Sequence, residues 1–285
     1  MKISEIIKSK EITVSCEIFP PKLGTELAQS RRIVEEMAAL KPDFISVTYG
    51  AAGTTASFTA ELAEAVESLG VAALAHVTCV SSDEESIDEY LSALKANGIE
   101  NILALRGDMP QGREPKRVFA HASDLALAIK ARGDFCIGGA CYPEGHPEAA
   151  SVQADIDALK IKAESGCEFF TTQMFFDNDI MYSFLSKFQR KGINIPVIAG
   201  IMPITNARQL ARSASLSGTT VPRRLREIVE RFGEKPAAMR QAGIAFATEQ
   251  IIDLIANGVN NIHLYAMNKP DVAKEILSNI SEIIK

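Results

Sequence analysis

The sequence predicts an α/β protein built as one closed, eight-stranded parallel β/α barrel, and three observations carry that prediction. Eight short, β-rich apolar runs alternate with longer runs of helical periodicity along the whole chain. The strand-like runs show no consistent polar–apolar alternation, which is how parallel strands covered on both faces read. The chain has 285 residues, a length at which β/α barrels commonly form a single domain, whereas open doubly wound sheets usually have about five or six strands.

Taken in order, the strands are expected at 13–18, 43–48, 72–78, 101–105, 135–140, 168–173, 196–201 and 261–266. Helical spacing of apolar residues predicts helices over 25–40, 57–69, 84–97, 121–132, 151–165, 178–191 and 205–215. Thr25, Ser57 and the Ser82-Asp83 pair stand where helix starts need caps. Gly70, Gly98, Gly133, Gly166 and Gly192 each fall at a helix end before a strand, where a left-handed residue is expected. The stretch 216–256 is longer than one β/α unit needs. It reads as an extra helix at 222–232 followed by one at 237–257, and a last helix at 270–284 closes the chain. No linker or low-complexity tract divides residues 1–285, so one domain is expected.

Charge and cysteine usage narrow the function classes. The net charge of -6 argues against nucleic-acid binding, which needs excess Lys and Arg for phosphate. Cys16, Cys79, Cys136, Cys141 and Cys167 are odd in number, widely spaced and mostly in apolar runs. They read as reduced thiols in the cytoplasm. The first residues interrupt their apolar run with charges, so no secretory signal is expected. No run is long enough to cross a membrane. The four histidines show no metal-ligand spacing, so no metal site is expected.

In a β/α barrel the site is built at the carboxyl ends of the strands. There the sequence places Glu17, Thr48-Tyr49, His76 and Thr78, Arg106-Gly107-Asp108, Tyr142 with His146, Gln173, and Tyr265 before Lys269. Each has a plainer role open to it. Arg106 and Asp108 could pair with each other, the tyrosines and His76 could be satisfied core residues, and Lys160 and Lys162 could lie on a solvated face. The apolar setting of Glu17 favours function, because it should raise the carboxyl's pKa. No Gly-rich dinucleotide or P-loop motif follows any strand, so a dinucleotide would have to lie across the barrel mouth, held by helix N-termini and single basic residues.

These strand ends also carry a resemblance. VSCEIFPPK (14–22), FISVTYGAAGTT (44–55), LALRGDMP (103–110), ACYPEGHPEA (140–149), TTQMFFD (171–177), GIMPITN (200–206) and NNIHLYAMNK (260–269) occur in the order of the methylenetetrahydrofolate reductase family. The resemblance implies a (β/α)8 TIM barrel with one non-covalent FAD. A reduced nicotinamide, NADH or NADPH, reduces the flavin, and methylenetetrahydrofolate then takes its place and accepts a hydride.

By this resemblance Glu17 is the acid that protonates N10 to open the folate's five-membered ring, Asp108 lies near flavin and pterin, and Gln173 bonds the substrates. FAD contacts fall on Tyr49, Ala51, His76, Arg106, Gly107, Asp108, Ala122, Tyr142, His146, Asp155 and Lys162. Thr48 and Gln173 fall on nicotinamide-side positions, and Gln209 and Lys269 on folate-side positions. Lys269 stands where relatives often carry arginine and cannot form its bidentate fork. Ala158 and Ile161 replace polar FAD contacts. The adenosylmethionine-sensing regulatory domain of the animal enzymes is not expected. A homo-oligomer is expected, and a flavin- and folate-binding subunit fed electrons by a partner protein stands as the alternative.

Overall fold

The computed structural model describes residues 1–21, 26–49, 56–108 and 118–285. Eight parallel strands close into a barrel in sequence order: β1 Thr13–Ile18, β2 Phe44–Val47, β3 Ala72–Thr78, β4 Asn101–Leu105, β5 Cys136–Cys141, β6 Cys167–Thr172, β7 Val197–Ile201 and β8 Asn261–Leu264. The seam is a parallel β1–β8 pair with Val14 opposite Ile262 and Cys16 opposite Leu264. Closure leaves no strand edge.

The outer helices are α2 Leu27–Ala38, α3 Ala56–Ser68, α4 Glu84–Ala96, α5 Ala122–Arg132, α6 Val152–Glu164, α7 Asn178–Arg190 and α8 Ala207–Ser217. They continue with α9 Arg223–Phe232, α10 Pro236–Ala256 and α11 Pro270–Asn279. Asp83 caps α4 by accepting from Ser86 N at 2.9 Å, as its position predicts. Ser57 instead lies inside the first turn of α3, and Thr25 falls outside the described residues. Four of the five expected cap glycines have positive φ, but Gly133 is extended at φ 176° and could be any residue on conformational grounds.

Strand alternation sorts the core into two layers. In β1, Val14, Cys16 and Ile18 face outward and pack with Val34 and Met37 of α2. Thr13, Ser15 and Glu17 are the inward set. Inside the barrel, Phe44, Leu74, Leu103, Cys136, Phe169 and Ile198 make an apolar floor. A helix that the sequence reading did not anticipate, α1 Ile3–Ser9, plugs this floor from the amino end with Ile3 and Ile6.

Asn101 fastens the plug. It is fully buried, its Oδ1 accepts from Ile3 N at 2.7 Å, and its Nδ2 donates to Met1 O and Ala73 O. Asn101→Ala strands these backbone groups and is expected to cost about 2 kcal/mol of stability, read by denaturant unfolding. A loss under about 0.5 kcal/mol would mean that apolar packing alone seats α1.

Candidate active site

A cavity of about 860 Å³ opens at the carboxyl ends of the strands. Among the sequence-predicted positions, Glu17 from β1, Thr48 and Tyr49 after β2, His76 from β3, and Arg106, Gly107 and Asp108 after β4 line it. Thr78 from β3, Ala122 at the start of α5, Tyr142 and His146 after β5, Asp155 and Lys162 from α6, Gln173 after β6 and Tyr265 after β8 complete the set. Residues up to 248 positions apart in the chain, Glu17 and Tyr265, converge here because every strand ends at the same rim. Ala51 lies outside the described residues.

The inner wall is uncharged at neutral pH, for one physical reason. Glu17 is buried, and desolvation pushes its carboxyl from 4.5 up to about 8. No hydrogen bond or ion pair joins that carboxyl to another described residue. Burial lowers His76 to about 3 and His263 to about 3, the latter with help from His76. Tyr265 is held well above the ordinary phenol range by burial and then by Glu17. Its hydroxyl donates to Thr172 O at 2.7 Å. Gly200 makes room for that ring, since a Cβ there would sit 2.5 Å from Tyr265 Cε2 and from Thr172 O.

His263 is a wall residue that sequence reasoning passed over. Its Nδ1 lies 2.7 Å from Ser15 Oγ and its Nε2 3.1 Å from Ser46 Oγ, and its ring stacks on Phe44. The available signal was its place two residues before Tyr265, since i and i+2 of a strand share a face.

The outer wall is charged. Arg106 does not pair with Asp108, the alternative left open by the sequence. Its guanidinium forms a bidentate pair with Glu148, with one arm at 3.1 Å. A guanidinium fork and a carboxylate pair through two parallel hydrogen bonds, which is the geometry seen here. Gly107 turns the chain at φ +83°, and Asp108 follows it, exposed at the cavity.

Tyr142 meets His146 edge-on at 4.7 Å. Burial and then Arg106 hold His146 below its ordinary range. Asp155 accepts from His146 N at 3.2 Å, and burial holds it above the usual carboxylate range. Lys162 lines the cavity with its Nζ donating to Ala140 O at 2.9 Å, whereas Lys160 is exposed and lies 4.0 Å from Glu164. Of the two candidate lysines, only Lys162 reaches the cavity. Ala158 and Ile161 share its wall.

Gln173 accepts from Met174 N at 2.9 Å through its Oε1, which leaves the Nε2 hydrogens as donors. Gln209 and Lys269 do not line the cavity, but the structure brings them together. Lys269 Nζ donates to Thr205 Oγ1 at 2.9 Å, and Gln209 Oε1 accepts from Thr205 N at 3.1 Å. Thr205 lies three residues beyond Met202 of the cavity wall.

The wall has the room and the polar groups for a large, partly polar ligand. Three buried polar atoms on it, His76 Nε2, Thr78 Oγ1 and Thr171 Oγ1, have no hydrogen-bond partner among the described residues. Unpartnered buried polar atoms are costly unless a ligand satisfies them. The N-termini of α5 and α6 also reach the cavity, beside Arg106 and Lys162, and so offer positive ends to a phosphate. Among the described residues no cluster of His, Cys, Asp or Glu could hold a metal ion, and no helix is long and apolar enough to cross a membrane. All five cysteines are buried and free.

Comparison with known proteins points to one family. A family described as methylenetetrahydrofolate reductase matches residues 2–281. Methylenetetrahydrofolate reductase (NADH) 1 of Arabidopsis thaliana is 35% identical over 298 residues, covering 99% of this chain and 50% of the plant protein. The chain thus spans about half the length of that relative. The 5,10-methylenetetrahydrofolate reductase of Escherichia coli (strain K12) is 32% identical, over 93% of this chain and 90% of that protein. A solved structure, an uncharacterized protein from Clostridium thermocellum that binds two copies of 5-methyl-5,6,7,8-tetrahydrofolic acid, superposes with a TM-score of 0.64. It covers 98% of this chain, and at 16% identity it speaks for the fold alone. A family match over nearly every residue, together with the bacterial relative covered almost end to end, establishes that the chain belongs to the methylenetetrahydrofolate reductase family.

Proposed function

We propose that this barrel catalyses the FAD-dependent reduction of 5,10-methylenetetrahydrofolate to 5-methyltetrahydrofolate at the expense of a reduced nicotinamide. The observation that carries the reading is Glu17: a buried carboxyl on the cavity wall whose pKa of about 8 keeps its proton at neutral pH. The folate's five-membered ring is a cyclic aminal. A methylene carbon held between two nitrogens becomes an electrophile only when one nitrogen leaves as an amine. Glu17 delivers the proton that N10 needs to leave.

FAD, if bound here, would supply hydride transfer between the nicotinamide and the folate. His76, Arg106, Tyr142, His146, Asp155 and Lys162 are the residues that would hold it, with the orphaned atoms of His76, Thr78 and Thr171 finding partners. Asp108, exposed at the cavity, would stabilise the cationic charge that develops on the opened folate. Gln173 offers neutral amide donors that can serve two different substrates in turn. The uncharged inner wall around Tyr265, His76 and His263 keeps the Glu17 proton from being drawn off before use. Lys269 and Gln209, joined at Thr205, stand ready for the acidic tail of the folate.

The test is direct. The purified protein, charged with FAD, should show an oxidised-flavin spectrum that bleaches with NADH or NADPH without oxygen and returns on adding methylenetetrahydrofolate. Bleaching without return would refute the folate reaction. A protein that takes up no flavin would refute the cofactor.

A further inference from the structure

The functional reading above uses Tyr142 and His146 of the Y-P-E-G-H-P segment but gives no work to Glu144 between them. We infer that Glu144 is a positioning residue: by clasping Thr220 it holds the cavity-lining loop 142–149 in place, and so sets how tightly the flavin is bound. The inference rests on the flavin reading of that cavity.

The geometry is specific. Both carboxylate oxygens of Glu144 accept from Thr220 N, each at 3.0 Å, and the Thr220 hydroxyl donates to Oε2 as well. Charge-assisted hydrogen bonds of this kind are about twice as strong as neutral ones. Thr220 belongs to the short connection between α8 and α9, 76 positions along the chain. That connection is itself anchored. Gly218 closes α8 in the left-handed conformation, and Thr219 is buried with its Oγ1 2.6 Å from Ser217 Oγ.

The far end of the loop is held on the main-cavity side, by Arg106 on Glu148 and by Asp155 on His146 N, but its face toward the connection is poorly supported. A second cavity of about 360 Å³ lies between loop and connection, lined by Glu144, His146, Pro147, Ser151, Ser217 and Gly218 among others. Packing across such a gap is weak, because atoms facing a void lose their contacts. Gly145, with φ +89°, turns the chain immediately after the clasp so that His146 points back into the main cavity. Four loop residues line that cavity: Tyr142, His146, Glu148, which grips Arg106, and Ala149. Releasing Glu144 therefore removes the loop's tie to the connection and leaves these residues held only from the main-cavity side, though Glu144 itself is not on the main cavity wall.

The experiment pairs flavin titration of the apoprotein with hydrogen exchange of the loop in the flavin-free protein. Glu144→Ala is expected to weaken FAD about tenfold and to raise exchange across 142–149. Glu144→Gln, which keeps one acceptor, should fall in between. Thr220→Val should weaken FAD about threefold in the wild-type background and add nothing in the Glu144→Ala background, because the two act through one contact. FAD affinity and loop exchange both within twofold of wild type in Glu144→Ala would overturn the inference, as would an equal effect of Thr220→Val in both backgrounds. If the wild type binds no flavin, the functional reading fails, and the exchange measurement alone decides whether Glu144 holds the loop.

Discussion

Glu17→Gln should bleach normally with reduced nicotinamide yet return its colour with methylenetetrahydrofolate about 10²- to 10⁴-fold more slowly, the usual worth of a positioned general acid. Glutamine keeps the size and the hydrogen-bonding edge of the side chain but has no proton to give. The first half-reaction needs no proton at N10, so it should survive. Equal loss of both half-reactions would show that Glu17 shapes the cavity and does not act as the acid. The same substitution carries a stability signature that needs no substrate. Between 4.5 and about 8 the unfolded chain has released this proton while the folded chain retains it. Stability therefore falls as pH rises through that window and levels off above it. Glu17→Gln removes the penalty. The variant should match the wild type near pH 4.5 and exceed it above pH 8 by roughly a few kcal/mol, read by denaturant unfolding at a series of pH values. A stability difference that does not change with pH would mean that Glu17 ionises freely in the folded protein.

The largest stability effect is expected from a single methyl group. Gly243 is buried in α10, where the helix crosses the chain that follows β7. A Cβ at this position would sit 1.8 Å from Ile204 O and 2.7 Å from Ile204 C. Helix propensity alone favours Gly243→Ala by about 1 kcal/mol. The clash is with backbone, which cannot swing aside as a side chain can, so overpacking wins. We expect a net loss of about 3 kcal/mol, a fall of roughly 5–10 °C in Tm. The damage should also reach the site, because Ile204 precedes Thr205, on which Gln209 and Lys269 converge. Gly258→Ala is the control. It has open space around it but φ +82°, so it should cost only about 1 kcal/mol. Similar melting of the Gly243→Ala variant and the wild type would show that α10 moves away freely.

The barrel was legible because its signals are local. β1, β3 and β4 run over the residues expected, and the other strands shift by one or two positions at an end. Apolar runs bounded by turn residues need no knowledge of their neighbours. The strand-end rule then located twelve of the candidate residues on one cavity wall, and the family resemblance added Ala122, Asp155 and Lys162 from the helices. Less legible was the alternation within strands. In β1 the polar Thr13, Ser15 and Glu17 do alternate with Val14, Cys16 and Ile18, but in other strands the inward face begins with apolar floor residues such as Phe44, Leu74 and Phe169. Averaged over eight short strands, that pattern reads as no pattern. α1 escaped notice because seven residues of mixed polarity carry no helical period strong enough to read.

The sequence by itself determined which segments become strands and helices, and that a buried carboxyl, Glu17, stands at the end of the first strand. Only the tertiary structure decided that Arg106 grips Glu148, that Glu144 reaches Thr220, that Asn101 seats the plug, and that His263 and Tyr265 share the wall with Glu17. The physical reason is the same in each case. Local patterns record how a residue relates to neighbours within a turn or a strand pleat. Barrel closure instead brings residues 42, 76, 98 and more positions apart into contact, and no periodicity in the chain encodes which of them will meet.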